Sequence, residues 1–293
     1  MTETPVCVEP DETLLCFDGM LGVLAMPKSP QPTSDVGLVI VVGGPQTRVG
    51  SHRQFVTMSR ALARAGYPCL RFDYTGLGDS AGPLPDFERV GPDIAHACDV
   101  LQRSVPQCRR VVLWGLCEGA TAALFHALVD ARIAAVVAAN PWARSDDTRS
   151  AAIVKQHYGS RLRSREFWTR LATGKVDVAG SVREAAGHLF RFVGARRPVA
   201  AGEASSDLAA RVAHALARAR CPIRLQLSGN DLTAAEFEAA LGRTMSKELP
   251  HVSRLRLDQA DHTCSDPADW EAVVADTIRF LTALGHESGR SGR

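Results

Sequence analysis

Short apolar runs alternate with longer amphipathic stretches along most of this 293-residue chain, and that alternation restricts the fold more than any other feature. The runs VGLVIVVGG (36–44), YPCLRFDY (67–74), RRVVLWG (109–115) and AAVVAAN (134–140) are almost continuously apolar. A strand with one wet face alternates polar and apolar residues, whereas a strand covered on both faces reads as these do. Between them, RQFVTMSRALARAG (53–66) spaces its apolar residues by three and four. Helical patterns also occupy Pro92–Ser104 and the stretch from Cys117 to about Asp130. The alternation predicts an α/β fold with a mainly parallel sheet and helices on both faces. An antiparallel pair, ETLLCF (12–17) and LGVLAMP (21–27), opens it.

After Pro141 the rhythm breaks. From about Ala143 to Ala219 helical segments recur without a strand, and then PIRLQLSG (222–229), TAAEFEAALG, SRLRLDQA (253–260) and DWEAVVADTIRFLTALG restore the alternation. A helical insertion between two strands of one sheet predicts a cap. The expected division is core over 1–142, cap over 143–219 and core again over 220–293, with a frayed polar tail, HESGRSGR.

Composition excludes several classes. The 34 Lys and Arg nearly balance the 32 Asp and Glu, which leaves no electrostatic footprint for nucleic acid. No stretch approaches the roughly 20 apolar residues of a membrane span, and the acidic start has no signal-peptide order. The expected location is the cytoplasm. Eight cysteines stand at 7, 16, 69, 98, 108, 117, 221 and 264, with no C-x-x-C pair. Most sit in strand or helix patterns, where cysteine acts as a small hydrophobe. Neither a metal set nor a cofactor is expected; Cys264 beside His262 reads as packing. The glycine-rich RFDYTGLGDSAG (71–82) lacks the lysine of a phosphate loop and reads as a structural turn.

One cysteine stands apart. Gly115-Leu116-Cys117-Glu118-Gly119 has the form G-x-C-x-G, between the strand RRVVLW and the helical ATAALFHALV. That is the strand–turn–helix context of a nucleophile elbow, where flanking glycines remove side chains from a tight crossing. The turn also sets the thiol at a helix N-terminus, whose positive end favours a thiolate. SGND ends the penultimate strand and offers Asp231; DQADHT follows the last strand and offers His262. Nucleophile, acid and histidine in that order suit acyl transfer, with His262 as base and Asp231 orienting it. Alone, Asp231 reads equally as a helix cap before TAAEF, and His262 as a surface histidine. Asn140 holds the other strand end at which an acid could stand.

An oxyanion formed there needs backbone donors. The N–H of Glu118 is one. The second is expected in VVGGPQTRVGSHRQF, from Gln46 first and Gly44 next, since Pro45 has no N–H. Arg48 and His52 on this loop, with Trp142 and Trp168 from the cap side, are candidate substrate contacts; cap packing suits both tryptophans too.

The segment VVGGPQTRVGSHRQFVTMSRALARAGYPCLRFDYTGLGDSAG, with LWGLCEGATAAL and SGNDLTA, resembles the exosortase-system-associated hydrolases of the α/β-hydrolase superfamily. At the elbow alone it is similar to dienelactone hydrolases. The resemblance implies an eight-stranded hydrolase sheet, a helical cap and Cys117, Asp231 and His262 as the triad. It does not supply a substrate. Because a thiolate attacks activated acyl groups well but is itself a good leaving group, the expected small-molecule substrate is an ester, a lactone, or a thioester held by a carrier or coenzyme A rather than a peptide. Release to water and transfer to an amine or alcohol both remain open, as does a binding protein on a hydrolase fold.

Overall fold

The computed structural model describes residues 10–28, 34–44, 46–143, 208–244 and 249–288. Its centre is one eight-stranded sheet in the order β1-β2-β4-β3-β5-β6-β7-β8. The strands are β1 (Asp11–Phe17), β2 (Met20–Met26), β3 (Val36–Val41), β4 (Cys69–Phe72), β5 (Arg110–Leu116), β6 (Ile133–Ala139), β7 (Ile223–Ser228) and β8 (Val252–Leu257). From β4 to β8 every neighbouring pair is parallel, while β1 and β2 join antiparallel. Asp18-Gly19 turns the first hairpin with both residues at positive φ, the geometry that suits a two-residue connection.

Burial follows the apolar patterning. All six residues of β3 are buried, and β5 and β6 are buried along nearly their whole lengths. Edge strand β1 exposes most of its residues. Helices α1 (Gln54–Arg64), α2 (Gly91–Ser104), α3 (Glu118–His126), α4 (Leu208–Arg218), α5 (Leu232–Thr244) and α6 (Pro267–Ser288) cover the sheet. Helix α1 lies against α6, and α3 against both α2 and α4. Trp114 of β5 is fully buried, edge-on to Phe55 of α1 and Trp270 of α6.

Two helices bear on the expected bounds. Helix α4 falls within the expected cap segment, yet Ala209, Val212, Ala213, Ala215 and Leu216 are buried and α4 packs against α3 and α5. It precedes β7 in the chain. Residues 144–207, including Trp168, lie outside the described residues. The last helix also runs to Ser288, into the tail expected to fray.

The sheet order sets the site. From β3 the chain moves to β4 on one side, and from β5 to β6 on the other. The carboxyl ends of β3 and β5 therefore flank a topological switch point, where open α/β sheets leave a crevice.

Candidate active site

Strand β5 ends at Leu116, α3 begins at Glu118, and Cys117 alone makes the turn between them. Its φ of 59° and ψ of −124° are unusual for a residue with a Cβ. Such strain persists only where the surroundings over-determine it. Three glycines do so. A Cβ on Gly115 would come within 2.5 Å of the Gly119 backbone, and one on Gly119 within 2.3 Å of the Val41 carbonyl. A Cβ on Gly43 would meet the Leu116 carbonyl at 2.2 Å. β3, β5 and α3 thus cross with no room for side chains, and the thiol is turned outward. Cys117 N–H donates to the Ala139 carbonyl, and the Cys117 carbonyl accepts from the N–H groups of Ala120, Thr121 and Trp142. Thr121 Oγ1 donates to the Trp142 carbonyl, so Trp142 straps the elbow through its backbone.

Asp231 follows β7 and His262 follows β8. His262 Nδ1 and Asp231 Oδ2 are 3.0 Å apart. The two readings of Asp231 are not alternatives: its carboxylate also accepts from Thr233 N–H at 3.2 Å and Ala234 N–H at 3.0 Å, capping α5. The cap fixes the rotamer that meets the histidine. Burial of His262 works against a charge on its ring, but hydrogen bonds with Asp231 and Cys117 outweigh it and raise its pKa to about 10. Asp231 thus holds the imidazole, and the Cys117 thiol lies near enough to it to share in raising that pKa.

Sequence reasoning missed part of the support. Asn140, buried at the end of β6 with φ 43°, donates through Nδ2 to the His262 carbonyl at 3.0 Å and to Ser228 Oγ at 2.9 Å. Its Oδ1 accepts from Ser228 N–H at 2.8 Å. Rather than holding an acid, this strand end ties β6, β7 and the histidine loop together. The visible signal was a polar residue closing an apolar run before Pro141.

The loop after β3 meets the elbow through Gly43. Gly44, at φ 59°, donates its N–H to Glu118 Oε2 at 2.9 Å. Gln46 N–H turns back to the Gly43 carbonyl at 3.4 Å, and Gln46 Nε2 donates to Ser51 Oγ. Of the two expected donors, Gly44 points towards the elbow and Gln46 into its own loop. Arg48, a candidate substrate contact, lies against two carboxylates. Its guanidinium binds Asp73 and Asp79, and its backbone N–H donates to Asp73 Oδ1 at 2.5 Å. Asp73 is fully buried, so this pair anchors the loop on the turn after β4 and leaves Arg48 committed there. His52 is exposed at φ 41°, and the Trp142 side chain is half-buried.

The remaining cysteines differ from Cys117. Burial pushes the thiols of Cys69 and Cys221 upward, that of Cys98 to about 12, and those of Cys108 and Cys264 to about 11. Cys16 is exposed on β1, and Cys7 lies outside the described residues. Among the described residues, no group of three or more His, Cys, Asp or Glu is disposed to hold a metal, and no helix is long and apolar enough to cross a membrane.

Solved structures with the same fold include the esterase Pf2001 of Pyrococcus furiosus, at 17% identity and TM-score 0.61, covering 94% of this chain and 92% of that one. The dienelactone hydrolase of Anabaena variabilis aligns at 16% identity and TM-score 0.58, over 94% and 98% of the two chains. The proline iminopeptidase of Mycobacterium smegmatis aligns at 16% and 0.58, over 95% and 100%. No curated protein sequence matches this chain. The model of the alpha/beta hydrolase family matches residues 38–285, from β3 to the last helix. With that span matched on a sheet of this order, the chain belongs to the α/β-hydrolase family.

Proposed function

We propose that the protein is a hydrolase that opens an ester, thioester or lactone through an acyl-enzyme on Cys117. The observation that carries this reading is the strained elbow cysteine next to a histidine whose pKa it helps to raise and that Asp231 holds. His262 takes the thiol proton, and the sulfur attacks the substrate carbonyl. A C–S bond forms while the C=O electron pair moves onto oxygen. The Glu118 N–H and a donor from the β3 loop, for which Gly44 is the better placed, receive that oxyanion. Its collapse breaks the bond to the leaving alcohol or thiol, which departs with the proton from His262. Water then gives a proton to His262 and attacks the thioester, and the sulfur leaves to restore the start.

A raised histidine pKa fits the first half of this cycle, because an imidazolium supplies the proton the leaving group needs. Sulfur as nucleophile favours activated acyl groups over amides, since thiolate leaves more readily than an amine. The similarity of the GGPQ-x-R-x-GSHRQF loop to exosortase-system-associated hydrolases supports a site wall there without defining the acyl group.

Rapid mixing with a butanoyl thioester tests the cycle. The expected record is a burst of one thiol per chain, followed by slower butanoate release. Butanoate released without any Cys117 adduct would contradict it, and a butanoylated amine formed in place of butanoate would move the activity to acyl transfer.

A further inference from the structure

Glu118 carries two groups at the proposed oxyanion site, and only its backbone N–H has a role so far. Its carboxylate reaches across the crevice and accepts the Gly44 N–H at 2.9 Å. The donor best placed to complete an oxyanion hole is therefore held by a carboxylate of the residue that supplies the other donor. The contact is at the surface: Gly44 is exposed and Glu118 half-buried. Arg48, on the same loop as Gly44, is committed to Asp73 and Asp79. The same negative charge is felt by the buried Tyr74, whose hydroxyl donates to the Val42 carbonyl at 2.8 Å and whose pKa burial, Asp93 and Glu118 all push up.

We propose that Glu118 is a specificity-determining residue that selects neutral or cationic acyl groups and rejects anionic ones. A substrate carbonyl must displace the carboxylate from Gly44 to gain the second donor. The displaced charge stays tethered to the elbow, one residue from Cys117. An acyl group bearing its own carboxylate then meets like charge beside the elbow, and the repulsion disfavours it. The proposal rests on the Cys117 acyl-enzyme reading.

The test compares butanoyl and succinyl thioesters of N-acetylcysteamine, which match in acyl chain length and differ in charge. Glu118→Gln keeps an acceptor for Gly44 N–H and removes the charge. We expect it to raise the succinyl-to-butanoyl ratio of kcat/KM by at least about tenfold, as loss of a close like-charge pair would. Glu118→Ala also vacates Gly44 and should raise kcat on the butanoyl substrate. An unchanged ratio in Glu118→Gln, with Cys117 still acylated by the butanoyl thioester, overturns this proposal alone. Failure of the parent protein to acylate Cys117 overturns the reading beneath it as well. A kcat that falls in a normally folded Glu118→Ala would show that the carboxylate supports the loop instead of blocking its donor.

Discussion

Strand β5 has a cysteine at each end, and the two environments are opposite. Cys108, two residues before the strand, is buried, with its Sγ donating to the Arg110 carbonyl at 3.4 Å. It fills the space left by Gly37, where an added Cβ would stand 2.6 Å from the sulfur. Burial pushes that thiol to about 11. Cys117, directly after the strand, is half-buried on a strained turn beside a histidine. The same side chain is packing material at the amino end of the sheet and, in the proposed mechanism, the nucleophile at the carboxyl end. What separates them is backbone: a crossing so tight that only glycines fit around it, which turns one side chain out towards the histidine loop.

The largest contrast is expected in catalysis. Cys117→Ala should lower turnover of an activated thioester by at least about a thousandfold, because the remaining donors only polarise the carbonyl. Cys108→Ala should leave kcat/KM unchanged and cost about 1 kcal/mol of stability through the small cavity it opens. Steady-state rates and denaturant melts of both variants read this out. Equal losses of activity would dissolve the distinction between the two strand ends.

A smaller loss tests the residues beyond the sulfur. Asp231→Asn keeps an acceptor for the cap of α5 but removes the charge that favours a protonated His262. Its kcat should fall about a hundredfold or more, while the melting temperature moves little. A variant that melts early would show that the aspartate serves the helix more than the histidine.

The backbone itself is the third test. Gly119→Ala sets a Cβ against the Val41 and Val42 carbonyls at the end of β3 and should destabilise by about 3 kcal/mol, near the upper end for overpacking. Gly242→Ala, on α5 with open space around it, should stabilise by about 1 kcal/mol through helix propensity. Urea titrations of the pair check the sign as well as the size. If Gly119→Ala is neutral, the strained turn does not depend on that crossing.

Much of this was legible in the chain because its signals are local. Continuous apolar runs announced the buried strands, and G-x-C-x-G announced the elbow through residues that touch within one turn. Helix α4 was not separable from a cap, since an amphipathic helix gives the same pattern whether it covers a sheet or a lid. Arg48 read as a candidate substrate contact because its partner Asp73 lies 25 positions away on another strand end. Still larger separations, 122 and 74 positions, hid Asn140 beneath His262 and the reach of Glu118 to Gly44. Asp231 looked ambiguous because one carboxylate performs both tasks.

The central claim is that Cys117 carries the acyl group, and a trapped intermediate tests it most directly. In His262→Ala acylation is slowed and deacylation lacks its base, so prolonged incubation with the butanoyl thioester should accumulate up to one butanoyl group on the chain by intact mass. Peptide mapping should place it on Cys117, with Cys108 and the other buried thiols unmodified. An adduct that maps to another residue, or that forms equally when Cys117 is also alanine, would contradict the account.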